Sequence, residues 1–136
     1  MRVLSFAVGS SRYALAAASL IEVLPLVELQ PAPALPPEVA GLLNYRGQVV
    51  PVIDIPQMLL GVPCPPRLSS RTLLTRYVLP DGQERILGLR VERAREVRGM
   101  ADASPAPSGL RTPPWLGQVA LEHGAIIQMI QPAGLL

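Results

Sequence analysis

Hydrophobic positions along this chain fall in short runs separated by Gly, Pro, Asn, Asp and Ser, a pattern that favours strands and turns over long helices. Residues 3–8 alternate partly, and the more apolar set, Leu4, Phe6 and Val8, is expected to face a core. Gly9 to Arg12 reads as a turn, with Tyr13, Ala14 and Leu15 returning as the partner strand. Alanine dominates residues 16–23, which predicts a short helix on propensity. Residues 24–37 carry prolines at 25, 31, 33, 36 and 37 and predict a strand flanked by extended loop, and residues 38–40 a helical turn.

The chain is organised around residues 41–54, GLLNYRGQVVPVID. This reads as strand, tight turn, strand: Gly47 supplies the positive φ such turns often require, and the following β-branched run ends at Asp54. Pro51 lacks a ladder donor, so the second strand should have an edge or a bulge there. Asp54 is placed to cap a short helix over residues 55–60, with Pro56 tolerated in its first turn and Gly61 closing it. Residues 62–70 read as loop. Residues 72–79 and 85–91 read as a strand pair around the Pro80-Asp-Gly-Gln83 turn, with Arg90 on the solvent face. As a helix, residues 92–98 would set Glu92 against Glu96 one turn apart, so a solvated strand ending at Val97 is expected. Residues 99–114 predict a mobile loop. Residues 115–120 and 125–131 predict a last hairpin, and residues 132–136 a helical stub.

Composition narrows the function. A chain of 136 residues, 49% apolar, is one domain able to bury a core, and residues 1–136 are read as a single unit. All the basic residues are Arg, and a net charge of +2 does not by itself argue for nucleic acid. No apolar stretch reaches the roughly 18 residues of a membrane span. The short run after Arg2 is interrupted by residues 9–12, so a mature strand is expected rather than a signal peptide. Cys64 is the only cysteine, which excludes an intrachain disulfide and suits a reducing, cytoplasmic compartment.

Catalytic motifs are missing. There is no Gly-x-Ser-x-Gly elbow, no phosphate-cradling Gly-rich loop with Lys and no His-Glu-x-x-His. One His and one Cys make a zinc site unsupported, and no cofactor is expected. His123, in Glu-His-Gly, reads as a turn residue rather than a general base. A small β-barrel that binds nucleic acid is the alternative class. It would need stacking aromatics and a cationic groove, whereas the five aromatics are scattered and glutamates dilute the arginines of residues 90–98.

The stretch Asn44-Tyr-Arg-Gly47, followed by Val49-Val-Pro-Val-Ile-Asp54, resembles the signature of the CheW-like domain, the coupling module of bacterial chemosensory arrays. Tyr45 stands where that family usually has Leu, Ile55-Pro56 differ from its usual Leu and basic residue, and Arg90 replaces an apolar position. Phe6, Gly9 and Tyr13, the element Leu20, Glu22 and Val23, Leu35-Pro36, Gly88 to Glu92 and the closing apolar strand with Leu135-Leu136 extend the resemblance over essentially the whole chain. The resemblance implies a mostly β fold: two small SH3-like β-barrel lobes packed on a shared hydrophobic core, with short helices. It implies a non-catalytic adaptor that joins the regulatory domain of a chemosensory histidine kinase to the cytoplasmic tip of a chemoreceptor, with neither nucleic-acid binding nor membrane insertion, located in the cytoplasm and at receptor arrays. By position it assigns partner contacts, or the shaping of them, to Leu20, Glu22, Gly41, Asn44, Arg46 and Gly47.

Overall fold

The computed structural model describes residues 1–100, 104 and 110–135. Among these, ten strands divide into two lobes. The first lobe holds β1 (Arg2–Val8), β2 (Ser11–Ala16), the two-residue β8 (Arg98–Gly99), β9 (Leu116–Glu122) and β10 (Ala125–Ile130). The second holds β3 (Leu20–Pro25), β4 (Val39–Tyr45), β5 (Gln48–Asp54), β6 (Ser70–Val78) and β7 (Glu84–Glu92). Antiparallel hairpins β1–β2, β4–β5, β6–β7 and β9–β10 are joined by two parallel pairings, β2 with β10 and β5 with β7. The lobes meet in the sheet at a single register pair, Ala7 opposite Glu92.

Three apolar clusters explain this division. Leu4, Phe6, Val8, Leu15, Ile53, Ile55, Leu73, Leu87, Leu89 and Val91 form a central core drawn from both lobes. Val3, Ala14, Met100, Ala120, Ile127 and Met129 fill the first lobe. Leu43, Val50, Val52 and Leu74 fill the second. The alternation of β1 thus sends Leu4, Phe6 and Val8 to the shared core as expected, while its other face, Val3 and Ser5, is also fully buried inside the first lobe. Each such fully buried large side chain contributes about 1.5–3 kcal/mol relative to exposure.

The corner after β5 forms as its residues dictate. Asp54 has extended backbone angles and its carboxylate accepts the Gln57 N–H at 3.0 Å, capping α1 (Ile55–Leu60). The same carboxylate accepts the Cys64 N–H at 3.1 and 3.0 Å, so one buried side chain holds both the helix and the loop that leaves it. Pro51 sits opposite Leu42, whose N–H and C=O both bond to Gln30 at 2.9 Å. That makes Leu42–Pro51 a non-hydrogen-bonded pair, and pairing with β7 begins only at Val52, so the missing N–H of Pro51 costs no ladder bond.

Four expectations are corrected. Residues 16–23 are not a helix: only Ala17–Ser19 form a 3-10 turn, and Leu20 opens β3. The burial of β3 alternates residue by residue against β6, and sheet pairing overrides alanine propensity. Residues 38–40 are not a helical turn, since the turn closes at Val39, whose N–H reaches Pro36 O at 2.9 Å, and β4 starts there. Residues 93–97 are not a strand. Arg93 takes φ +53°, the chain leaves the sheet, and Ala94 and Val97 pack onto the central core before β8. Arg90 is half-buried rather than on a solvated face: its Nη2 donates to Val27 O at 3.1 Å and its Nε is buried without a partner. The loop that covers it, anchored by Gln30, comes from 63 residues away in sequence. The expected loop of residues 99–114 lies largely outside the described residues; within it Gly99 is strand, Met100 is buried and Ser104 bridges Val119.

Candidate partner-binding surface

The β4–β5 turn contains two residues, Arg46 at φ +51° and Gly47 at φ +84°. Paired positive φ values match the right-handed twist of the flanking strands, and glycine takes one of them without strain. Asn44 accepts the Gly47 N–H on its side-chain oxygen at 3.0 Å, bracing the turn from an exposed position. Arg46, held at the apex with a side chain 76% exposed, lies with its guanidinium carbon 5.0 Å from the centre of the Tyr45 ring. The tyrosine therefore gives the cation a platform that a leucine would not.

Across from this turn, Glu22 lies on β3 opposite Leu74, just past a register shift that follows Leu20. Its Oε1 is 3.8 Å from Arg46 Nη2. An exposed pair at that distance is worth about 0–1 kcal/mol, so it orients the two side chains more than it stabilises the fold, and an incoming group can replace either half. Two residues singled out in sequence are thus brought together across 24 positions of chain. Leu20 is half-buried and packs on the central core. Gly41 is buried under the hairpin, at φ +156°, where an added Cβ would stand 2.6 Å from Gln30 O and 2.9 Å from Leu29 Cβ. Its place is below the surface, where it lets residues 29–30 close on β4.

One neighbour that the sequence did not single out extends the surface. Val49, opposite Asn44, is 69% exposed on the same hairpin, whereas Val23, next to Glu22 in β3 and in register with Leu73 of the central core, alternates to the other face of that strand. The alternation of Val49 with the fully buried Val50 was the available signal. Between the lobes runs a cleft of about 570 Å³ lined by Ala16 and Ala18, by Tyr77 and Val78 at the end of β6, and by Met129 and Ile130 of β10.

Chemistry beyond contact finds little here. Cys64 is buried, and burial first of all pushes its thiol up to about 11, away from nucleophilic use at neutral pH. No cluster of three or more metal-ligating side chains occurs among the described residues. The aromatics form no stacking platform: Phe6 and Tyr13 stack on each other in the core, and Trp115 and Tyr77 pack against it. No helix among the described residues is long and apolar enough to cross a membrane.

Two β lobes on a common core, with an exposed charged turn, define a small protein that works by docking. Comparison with known proteins agrees. The CheW-like domain family matches residues 2–136. FrzA of Myxococcus xanthus is 30% identical over 134 residues, covering 95% of this chain and 73% of that protein. The chemotaxis protein CheW of Helicobacter pylori is 24% identical over 112 residues, covering 81% of this chain and 65% of that one. The crystal structure of the scaffolding protein TtCheW from Thermoanaerobacter tengcongensis shares the fold with a TM-score of 0.80 at 23% identity, over 96% of this chain and 84% of that one. The chain belongs to the CheW-like domain family and is a non-catalytic adaptor of chemotaxis signal transduction. Nothing in these comparisons favours a nucleic-acid-binding barrel.

Proposed function

We propose that this chain, read as one CheW-like domain over residues 1–136, couples the cytoplasmic tip of a chemoreceptor to the regulatory domain of a chemosensory histidine kinase. It acts in the cytoplasm at receptor arrays, without inserting into the membrane and without binding nucleic acid. The observation that carries the reading is the presentation of Arg46: braced by Asn44 and Gly47, supported by Tyr45, and only loosely held by Glu22. A planar guanidinium on a rigid turn is suited to a carboxylate or carbonyl on a partner. Glu22 accepts the complementary cation or N–H, Leu20 and Gly41 shape the strands beneath, and the apolar cleft between the lobes suits one stripe of a receptor helix.

The test is calorimetric titration of the protein with the regulatory domain of a kinase from the same organism, then with the receptor tip. Saturable binding at micromolar affinity is expected, weakened about tenfold by Arg46→Ala. Thermal melting of the variant should stay close to that of the parent chain, because the Arg46–Glu22 pair is exposed. An unfolded variant, or a folded one with unchanged affinity, would remove Arg46 from the interface.

A further inference from the structure

A second charged surface lies at the rim of the first lobe, remote in sequence from the β4–β5 turn. Arg12 is in register with Ile127, and Arg98 with Val3, both interior residues of that lobe. Alternation therefore turns both arginines inward at the rim, with Glu122, two residues beyond the buried Ala120, on the same side. Arg98 grips Glu122 with both ends of its guanidinium, at 2.7 and 2.6 Å, which occupies both carboxylate oxygens. Arg12 donates to the hydroxyl of the buried Ser5 at 3.1 Å. The Arg95 N–H donates to Ser5 O at 2.8 Å, setting that residue over β1, while its side chain has no hydrogen-bond or ion-pair partner among the described residues.

Arg98 and Arg12 thus share the carboxylate of Glu122, with Arg95 close to Arg12, and the three guanidiniums and one carboxylate leave a formal excess of two positive charges. Arg12 feels it: burial first, then the proximity of Arg95 and Arg98, pulls its pKa below the usual arginine value. Beside Glu122, on the outer face of the same hairpin, Leu121 and Ile126 face each other across the strands, 69% and 64% exposed. The under-neutralised cationic rim and the apolar pair lie on opposite faces at the end of the β9–β10 hairpin, so a ligand with both characters crosses that end.

We propose that this rim is a further docking surface, which receives an acidic polypeptide segment by seating a carboxylate among Arg12, Arg95 and Arg98 with a neighbouring apolar side chain on Leu121 and Ile126. A nucleic-acid backbone fits less well, because Glu122 stands among the cations and an apolar pair offers phosphates nothing.

The test titrates the full chain with the blocked peptide Glu-Leu-Glu-Leu-Glu and with its Gln-Leu-Gln-Leu-Gln counterpart. Saturable binding of the glutamate peptide alone is expected, weakened about tenfold by Arg95→Gln and also weakened by Leu121→Ser. Arg95 has no side-chain partner to lose among the described residues and Leu121 is exposed, so both variants are expected to fold. Equal binding of the two peptides, no saturable binding up to about 1 mM, or unchanged affinity in Arg95→Gln would overturn the proposal. So would a thymidine oligonucleotide that displaces the peptide as a tighter ligand.

Discussion

Replacing Gly41 with alanine tests how the central hairpin is held. The new Cβ would lie 2.6 Å from Gln30 O, well inside the roughly 3.3–3.6 Å at which carbon and oxygen meet without repulsion. Gln30 cannot drift away freely, because it exchanges both of its backbone hydrogen bonds with Leu42 at 2.9 Å. Relief means loosening those two bonds, worth about 0.5–1.5 kcal/mol each. A side chain at φ +156° adds strain of order 1–3 kcal/mol, and the stiffer unfolded chain offsets about 0.4–1 kcal/mol. The balance is a loss of about 3 kcal/mol, a large part of the roughly 5–15 kcal/mol of a typical domain. Urea unfolding followed by circular dichroism should show a lower midpoint with the same slope. Gly47→Ala serves as the control: it has positive φ but open space around the new atom, so it should lose only about 1 kcal/mol. If Gly41→Ala unfolds within about 0.5 kcal/mol of the parent chain, the close approach of residues 29–30 does not hold the hairpin as argued.

The features legible in the sequence were those decided locally. Asn44 to Gly47 carry their own turn chemistry, and Asp54, Pro56 and Gly61 mark both ends of α1. What misled was local propensity where distant pairing decides. The alanines before β3 favour helix, but β6 offers Leu20–Pro25 a ladder whose register no local rule contains. Arg90 sits in an apolar-looking strand, and only the crossing of residues 26–30 over β7 makes it half-buried. The candidate site shows the same split: Arg46 and Glu22 were each singled out, but nothing near either residue announces their pairing. The rim of Arg12, Arg95, Arg98 and Glu122 gathers residues from three separate stretches of chain and had no sequence signature as a group.

Further expectations concern the second lobe and the corner after β5. Asp54→Ala should cost about 2–4 kcal/mol in urea unfolding, since it removes a helix cap and leaves the buried Cys64 N–H without an acceptor; Asp54→Asn, which keeps an acceptor for Gln57, should cost less. The folded-state pKa of Cys64 is raised to about 11, so its contribution to stability is whole below the unfolded value, roughly 8.5, and is lost as pH climbs through the folded one. Unfolding midpoints measured across that window should fall more steeply for the parent chain than for Cys64→Ala, and parallel curves would count against the burial argument. Arg90→Leu removes one hydrogen bond and one unpartnered buried nitrogen together, so stability should change by less than about 1 kcal/mol. Amide exchange at residues 27–29 should nevertheless accelerate, and unchanged protection there would show that Arg90 does not hold the loop.

Coupling itself is measured most directly by kinase autophosphorylation in the presence of receptor-tip assemblies, with and without this protein. Receptor-dependent stimulation that requires the protein, and that is lost with a folded Arg46→Ala variant, is the predicted result. Kinase activity that responds to receptor equally well without the protein would contradict the adaptor account.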